Sequence, residues 1–333
     1  LQRRLNDLRL TAGTERGTLQ PQLNWTRNDR LGERGSYNVS LSASRQDRRD
    51  DLIQRTRITD AASGAPLLDQ EETGPSLDQR DRVQLLSRLQ WRHGPGEFLL
   101  LTPFIVASES RTDATRQLEQ LAGTIPSPYA SSQTSAHSRF SLLRLNAQEQ
   151  RRVASDARIE LRGALSAANW RAQSLRREFD AAQALTRTLE ERTDNDDRTW
   201  TLAGKFSRPF ASGHTLVAGI EAESTRREQG RATLQDGAPL LADLGDAFGA
   251  QTRRLAAYVQ DEWNVSRAWS THAGLRWEEI TTRSETAGST TTNVSRVWTP
   301  LLHAVWRLDA QRRDQIRASL TRSFRRWYVD AMY

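Results

Sequence analysis

The side chains of residues 254–278, RLAAYVQDEWNVSRAWSTHAGLRWE, alternate in character with a period of two. From Trp269 to Trp277 every second residue is apolar or small, and the residues between are polar or tiny. This is the period of a β-strand, not of a helix. The two tryptophans are eight residues apart, about 26 Å along a strand and about 20 Å in height at the tilt usual in membrane barrels. The spacing therefore approaches that of an apolar membrane band with an aromatic ring at each edge.

Similar segments recur along the chain. Trp298 and Trp306 repeat the eight-residue interval, and Tyr37, Val39 and Leu41 alternate with polar residues. About thirteen such strands can be counted over residues 1–333, which we interpret as a single domain. Short polar turns are predicted near residues 29–35, 92–97, 149–154, 209–213, 264–268 and 308–314. Long polar loops are predicted near residues 45–81, 108–136, 168–197, 224–252 and 283–293.

This pattern predicts an all-β fold, an antiparallel transmembrane β-barrel of the outer-membrane type. Such barrels have short turns on the periplasmic side and long loops on the external side. We expect eight tryptophans to form aromatic girdles at the membrane interfaces, as is usual in these barrels. They are Trp25, Trp91, Trp200, Trp263, Trp269, Trp277, Trp298 and Trp306. Alternation alone also fits a soluble hairpin with one face on a core.

Composition excludes several other classes. The chain has no apolar run near the ~20 residues of a membrane-spanning helix, although a barrel needs only alternate apolar residues. It has no cysteine, and its five histidines are scattered, so we predict no metal site and no cofactor. The formal net charge is +7, but the basic residues, all arginine except Lys205, are interspersed with acids. We therefore predict no nucleic-acid partner.

The string AAYVQDEWNVSRAWSTHAGLRWE, residues 256–278, resembles the barrel segment of TonB-dependent outer-membrane receptors. In that family an A-Y-x-Q-D-x-W strand and a short turn lead to a G-x-R strand. The matching positions here are Ala257, Tyr258, Gln260, Asp261, Trp263, Gly274 and Arg276. WTPLLHAVW at 298–306 and RASLTRSFR at 317–325 are similar to the strands that follow in the family.

The resemblance implies an N-terminal plug domain, an energy-coupling box and a barrel of twenty-two strands. This sequence shows no plug, no box and about thirteen strands, and Tyr333 does not close a visible strand. A barrel of that count would leave unpaired strand edges in lipid, where backbone groups must be bonded internally. We therefore expect an incomplete barrel, a fragment that lacks the plug and the C-terminal strands.

As a function, the resemblance implies energy-coupled uptake of a scarce, bulky external ligand, such as a ferric siderophore, across the outer membrane of a Gram-negative cell. Its partners would be the outer-membrane bilayer, the ligand and a TonB-type energy-coupling protein, reached through the missing N-terminal part. Affinity would lie largely in external segments such as 45–81 and 224–252. One alternative is a barrel without a plug, of porin-like or adhesin-like function. Another is a soluble β-rich binding module.

We expect no enzymatic activity. The sequence contains no Gly-x-Ser-x-Gly elbow, no metal-ligand spacing and no phosphate-binding loop. The acidic pairs Asp261–Glu262 and Glu278–Glu279 are adjacent, so in a strand their side chains point to opposite faces. They cannot act together as a general acid and a general base.

The predicted orientation of residues 269–277 can be tested by substitution at Leu275. Arginine on the lipid-facing side should lower the free energy of unfolding in bilayers by about 2–4 kcal/mol, the value for a site near the midplane. The measurement is reversible unfolding of Leu275→Arg in lipid vesicles. An unchanged stability of Leu275→Arg, together with a large loss in Arg276→Leu, would reverse the assignment of the two faces.

Overall fold

The computed structural model describes residues 4–210, 212–240, 247–286, 288–308 and 314–321. These residues form β-strands joined by turns, and among them no helix is long and apolar enough to cross a membrane. The strands are β1 (Leu5–Glu15), β2 (Thr18–Leu31), β3 (Gly35–Thr59), β4 (Pro66–Gly94), β5 (Glu97–Gly123), β6 (Ser131–Arg152), β7 (Arg158–Phe179), β8 (Leu185–Pro209), β9 (His214–Gln235), β10 (Ala238–Pro239), β11 (Ala247–Trp263), β12 (Trp269–Thr286), β13 (Ser289–Arg307) and β14 (Gln315–Thr321).

All the strands belong to one antiparallel sheet, which confirms the predicted fold class. Each long strand pairs with the next long strand along the chain, from β1 to β14, and the two-residue β10 pairs with β9. The thirteen longer strands agree with the count from alternation. β1 and β14 are the edges of the described sheet, which is not closed into a barrel.

The connections predicted to be short turns lie at one end of the sheet. Residues 32–34, 95–96, 153–157 and 264–268 connect strands there, within a few residues of the predicted positions. The turn predicted at 209–213 follows β8, although residue 211 lies outside the described residues. Of the turn predicted at 308–314, residues 309–313 lie outside the described part of the chain, as does the tail after residue 321.

The segments predicted to be long loops are mostly paired strand, so that part of the prediction is wrong. Residues 45–81 continue β3 to Thr59 and resume as β4 at Pro66, and only 60–65 connect them. Segments 108–136, 168–197 and 283–293 are likewise strand over most of their length. Within 224–252, β9 continues to Gln235 and β11 starts at Ala247, while 241–246 lie outside the described residues. β4 has 29 residues, against about 9–11 needed to cross a membrane, so these hairpins extend well beyond an apolar band.

The sheet has one apolar face that no other part of the described chain covers. Leu202 and Ile220 on this face are 57% and 67% exposed, and only Val106, Ala157, Val217 and Ala256 are buried apolar residues among those described. Large side chains alternate with small ones across the strands: Leu202 lies opposite Gly163, and Ile220 lies opposite Gly204. A continuous exposed apolar face of this kind marks a membrane or protein contact surface. We call it the outer face and the opposite one the inner face.

Gly74 allows β4 and β5 to approach closely in the extended hairpins. Its φ of 149° lies in a region that other residues rarely adopt, and a Cβ there would collide with the backbone carbonyl oxygen of Thr115. The guanidinium of Arg116 donates hydrogen bonds to the carbonyl oxygens of Gly74 and Pro75, each at 2.7 Å. The close approach is therefore held by both backbone geometry and a side chain.

We predict that Gly74→Ala destabilises the paired segments of β4 and β5 by about 1–3 kcal/mol, because a methyl group adds both strain and a backbone collision. Hydrogen exchange of the amides in residues 66–77 measures this local loss. Gly13→Ala is the matched control, since a Cβ at Gly13 meets nothing within 4 Å. Equal protection in Gly74→Ala and the unsubstituted protein would contradict the account.

Candidate functional site

The inner face carries a cluster of charged side chains on three adjacent strands. It consists of Glu221 and Glu223 on β9, Arg254 and Tyr258 on β11, and Arg276 and Glu278 on β12, and we call it the inner-wall cluster. Period-two alternation places these residues on one face, and the strand register brings them together. Arg254 is directly opposite Glu223, and Tyr258 is directly opposite Arg276.

Two arginines connect the three carboxylates of this cluster. Arg254 donates to Glu223 at 2.7 Å and to Glu221 at 3.2 Å. Arg276 donates to the same Glu221 oxygen at 2.8 Å and to Glu278 at 3.1 Å. The side chains of the two arginines and the three glutamates are 21–29% exposed, so the network is half-buried. Shared partners and partial burial make it stronger than isolated surface pairs.

The aromatic ring of Tyr258 fills space above a glycine of the neighbouring strand. Gly219 lies directly opposite Tyr258, and a Cβ at Gly219 would overlap the tyrosine ring. The Arg276 guanidinium lies 5.9 Å from the ring centroid, within the range of a cation–π contact. The ring therefore lies flat on the wall beside the ion pairs.

Polar side chains continue across the inner face toward β6. Gln148 donates to Glu160 at 2.8 Å, and the Arg162 guanidinium contacts the same carboxylate. An inner face of paired charges and amides suits contact with water or a polar ligand, and an apolar outer face suits contact with lipid.

A second group of ion pairs lies in the extended hairpins, also on the inner face. It comprises Glu72 on β4, Tyr129 in the connection 124–130, Arg176 and Glu178 on β7, and Arg187 on β8, and we call it the extension cluster. The Glu178 side chain is only 2% exposed and accepts hydrogen bonds from Arg176 at 2.9 Å and from Arg187 at 2.7 Å. Its buried negative charge is therefore balanced on both sides.

Tyr129 holds the connection 124–130 against this cluster. Its hydroxyl donates to Glu72 at 3.0 Å, and the Arg176 guanidinium lies 4.9 Å from its ring centroid. Burial raises the pKa of Tyr129, and the charge of Arg176 opposes part of that rise. Ser127 of the same connection also bonds Gln70 and Gln120, so the connection folds over the inner face of the hairpin.

Asp69, near the tip of the β3–β4 hairpin, is another nearly buried carboxylate whose charge is neutralised by arginines. Its side chain is 5% exposed and accepts hydrogen bonds from Arg55 and Arg57 at 2.7–3.0 Å. These bonds, with that of Arg55 foremost, hold the pKa of Asp69 well below its usual range. The charge-assisted pairing stabilises the hairpin above the ordinary pKa of the carboxyl group, and is lost as the pH falls through the lowered value.

The register places all eight predicted interface tryptophans on the outer face. Trp277 is opposite Trp298, and Trp269 is opposite Trp306 with stacked rings whose centroids are 5.4 Å apart. Trp25, Trp91, Trp200 and Trp263 occupy outer-face positions of β2, β4, β8 and β11. Their location at the membrane interfaces stays a prediction. Trp170, which was not among the predicted interface tryptophans, lies on the inner face opposite Phe140.

Neither cluster was predicted from the sequence. Glu278 and Glu279 do point to opposite faces, as predicted: Glu278 pairs with Arg276, and Glu279 accepts from Arg296 at 2.6 Å on the outer face. The signal was present as charged residues at every second position, Glu221 with Glu223 and Arg276 with Glu278. Which charges meet depends on register, which alternation does not specify. Among the described residues, no group of three or more His, Asp or Glu side chains is placed to hold a metal ion.

A family model described as TonB dependent receptor-like, beta-barrel, matches residues 106–333. The chain belongs to the TonB-dependent receptor family. The match covers the whole inner-wall cluster and all the strands from β6 onward, and this membership places the protein in the outer membrane. No curated protein sequence matches the chain.

Three solved structures resemble this receptor barrel. The ferric yersiniabactin uptake receptor FyuA from Yersinia pestis is 14% identical, with 87% of this chain and 43% of that chain covered and a TM-score of 0.43. The ferric citrate transporter FecA is 10% identical, with coverage of 87% and 53% and a TM-score of 0.30. The outer membrane protease OmpT from Escherichia coli is 8% identical, with coverage of 80% and 92% and a TM-score of 0.27. Because these TM-scores lie below 0.5, the likenesses say nothing about what the chain binds or does.

The chain spans about half the length of the two iron-transport structures, 43% of FyuA and 53% of FecA. The described part of the chain has the two faces of a membrane-barrel wall. The outer face is apolar, and the inner face holds the inner-wall cluster.

The burial of Glu178 generates a prediction. Glu178→Gln should lower the stability of the β7–β8 hairpin by about 1–3 kcal/mol, because Arg187 loses its charged partner and Arg176 keeps only Glu72, at 3.2 Å. Hydrogen exchange of the amides in 174–190 measures the change. Glu285→Gln is the matched control: Glu285 is 51% exposed and pairs with Arg283, so its loss should change stability by less than about 0.5 kcal/mol. Similar effects of the two substitutions would contradict a structural role for buried Glu178.

Proposed function

We propose that this chain is part of an outer-membrane receptor that takes up a scarce, bulky ligand, such as a ferric siderophore, using energy delivered from the inner membrane. The observation that carries the proposal is the family match over residues 106–333. A wall with an apolar outer face and a charged inner face is what such a transport path needs. A TonB-type energy-coupling protein would deliver that energy.

The two clusters suggest where a ligand would meet the wall. The extended hairpins β3–β4 and β5–β6, and the β9–β11 hairpin, would form the external mouth and capture the ligand. The extension cluster keeps the connection 124–130 against the inner face of that mouth. The inner-wall cluster lies closer to the short connections and would line the path further in. Its two arginines and three glutamates favour a polar or charged cargo over an apolar one.

We assign no catalytic residue in this proposal. The acidic pair Asp261–Glu262 is divided between the two faces: Asp261 accepts from His214 at 2.7 Å, and Glu262 accepts from Gln260 at 3.0 Å. The carboxylates of the inner-wall cluster are all bonded to arginines, and we interpret these ion pairs as structural.

The proposal predicts energy-dependent uptake by the intact protein. It would be expressed in a Gram-negative host that lacks its own ferric-chelate receptors, and supplied with ferric citrate, a ferric hydroxamate or a ferric catecholate. We expect radiolabelled iron to enter with at least one of these chelates, and entry to stop when an uncoupler removes the proton gradient.

Matched variants link that uptake to the inner wall. Arg276→Gln breaks the bonds to Glu221 and Glu278, and should reduce uptake at equal surface expression. Arg296→Gln removes an outer-face arginine of the adjacent strand and should leave uptake unchanged. A steady open-channel current from the intact protein in planar bilayers would overturn the receptor assignment in favour of a porin-like barrel.

A further inference from the structure

A solvent-exposed tryptophan lies on the inner face of the sheet. Of the nine tryptophans in the described part of the chain, Trp170 is the one whose side chain points inward. On β7 it lies between Arg162 and Arg176, the second of which belongs to the extension cluster. Trp170 is 38% exposed and faces away from the apolar outer face. One exposed ring is ordinary by itself, so its neighbours decide what it can do.

The strand register sets two rows of residues across the inner face at this level. The first row, in strand order from β4 to β7, is Arg82, Ser108, Phe140 and Trp170. The second row, in the same order, is Arg80, Ser110, Ser138 and Ala172. Neighbouring strands are about 4.8 Å apart, so each row spans about 14 Å from the first backbone to the last. Each row therefore begins with an arginine, and the first row ends in two aromatic rings.

The short side chains between the arginines and the rings leave open space above the sheet. A cavity of 370 Å³ lies there, and its lining includes Arg80, Arg82, Phe140 and Trp170. This volume is typical of small-molecule sites, which measure about 300–1,000 Å³. A second cavity, of 170 Å³, also contacts Trp170 and has Ala172 in its lining. The indole ring thus has free space beside it for a flat group.

The arginines of this cavity have positive charge available for an anion. Within the residues that the structure describes, Arg82 forms no ion pair, and its guanidinium donates to the side-chain oxygen of Gln84 at 3.0 Å. Arg80 contacts Asp78 at 3.5 Å, but the Arg80 side chain is 53% exposed, so this pair is weak. The arginines of the inner-wall cluster, by contrast, are each bonded to two glutamates.

We propose that Arg80, Arg82, Phe140 and Trp170, which we call the Trp170 site, bind a planar aromatic ring that carries anionic oxygens, such as a catecholate or salicylate group. The inference rests on the proposed function and names the kind of chelate that the inner wall would select. The ring would stack on the Trp170 indole, and its oxygens would accept hydrogen bonds from the two guanidinium groups. A citrate complex offers negative charge without a ring, and an acetohydroxamate complex offers neither.

The test measures binding to the intact protein in detergent by isothermal titration calorimetry. The probes are the iron(III) complexes of 2,3-dihydroxybenzoate, citrate and acetohydroxamate, and we expect the first to bind most tightly. Trp170→Leu should weaken binding of the dihydroxybenzoate complex by about three- to tenfold, the range for the loss of one aromatic pair. Trp170→Phe keeps a ring and should restore most of the affinity.

A charge variant and a matched control complete the test. Arg82→Gln should weaken binding of the dihydroxybenzoate complex by about tenfold, because hydrogen bonds to charged groups are the stronger ones. Arg139→Gln is the control: Arg139 precedes Phe140 on β6, lies on the outer face and is 68% exposed, so its loss should leave the affinity unchanged. Circular dichroism confirms that the variants retain their strands.

Two results would overturn the Trp170 site. One is an affinity for the dihydroxybenzoate complex that neither Trp170→Leu nor Arg82→Gln changes. The other is equal weakening in Arg82→Gln and Arg139→Gln, because net charge alone would then govern binding.

The iron-uptake assay separates this inference from the proposed function. Uptake of ferric citrate or a ferric hydroxamate alone, at a rate that Trp170→Leu does not change, would support the receptor and overturn the Trp170 site. Binding of the dihydroxybenzoate complex that depends on Trp170, without uptake of any chelate, would support the site and overturn the energy-coupled receptor.

Discussion

Backbone hydrogen bonding in a medium without water is the constraint on which the rest of this structure depends. Each N–H and C=O group within a lipid bilayer must find a partner in the protein, and a sheet whose strands pair with their neighbours in sequence order does this with the shortest connections. The chain is such a meander from β1 to β14. Satisfying the backbone in this way leaves every side chain on one of two faces.

The two faces of the sheet differ in how their side chains are stabilised. On the outer face, apolar side chains of alternating size cover the sheet, as where Ile220 meets Gly204 and Ala257. On the inner face, charges are kept at moderate burial by mutual neutralisation, as where Arg276 bridges Glu221 and Glu278. The wall therefore needs little conventional core. The bilayer would cover the apolar side chains of the outer face, and ion pairs neutralise the charges of the inner face.

In the extended hairpins, which lie beyond the apolar band, the backbone ladder continues and the side chains again neutralise one another. Beyond the apolar band, the outer positions of β3 change from Val39 and Leu41 to Arg45 and Asp47, yet the ladder with β4 continues to the tip. Ion pairs replace apolar contacts there: Asp69 is held by two arginines, and Glu178 by two more. A receptor mouth made of paired strands presents side chains for ligand capture on a regular backbone.

Alternation in the sequence was enough to identify the strands, their approximate number and the face to which Trp269, Trp277, Trp298 and Trp306 belong, because side-chain direction in a strand has a period of two. The family motif at 256–278 could also be recognised from the sequence alone, because all its residues lie in one continuous stretch. The length of the hairpins was not predictable in this way. Residues 45–81 are mostly polar on both faces, so side-chain alternation does not mark them as strand. Their pairing depends on backbone hydrogen bonds, which composition does not reveal. The partners of Glu221 and Glu178 also depended on tertiary structure. Contacts across strands require the register, which the connections and the ladder set together, and a shift of one residue would move each of these charges to the other face.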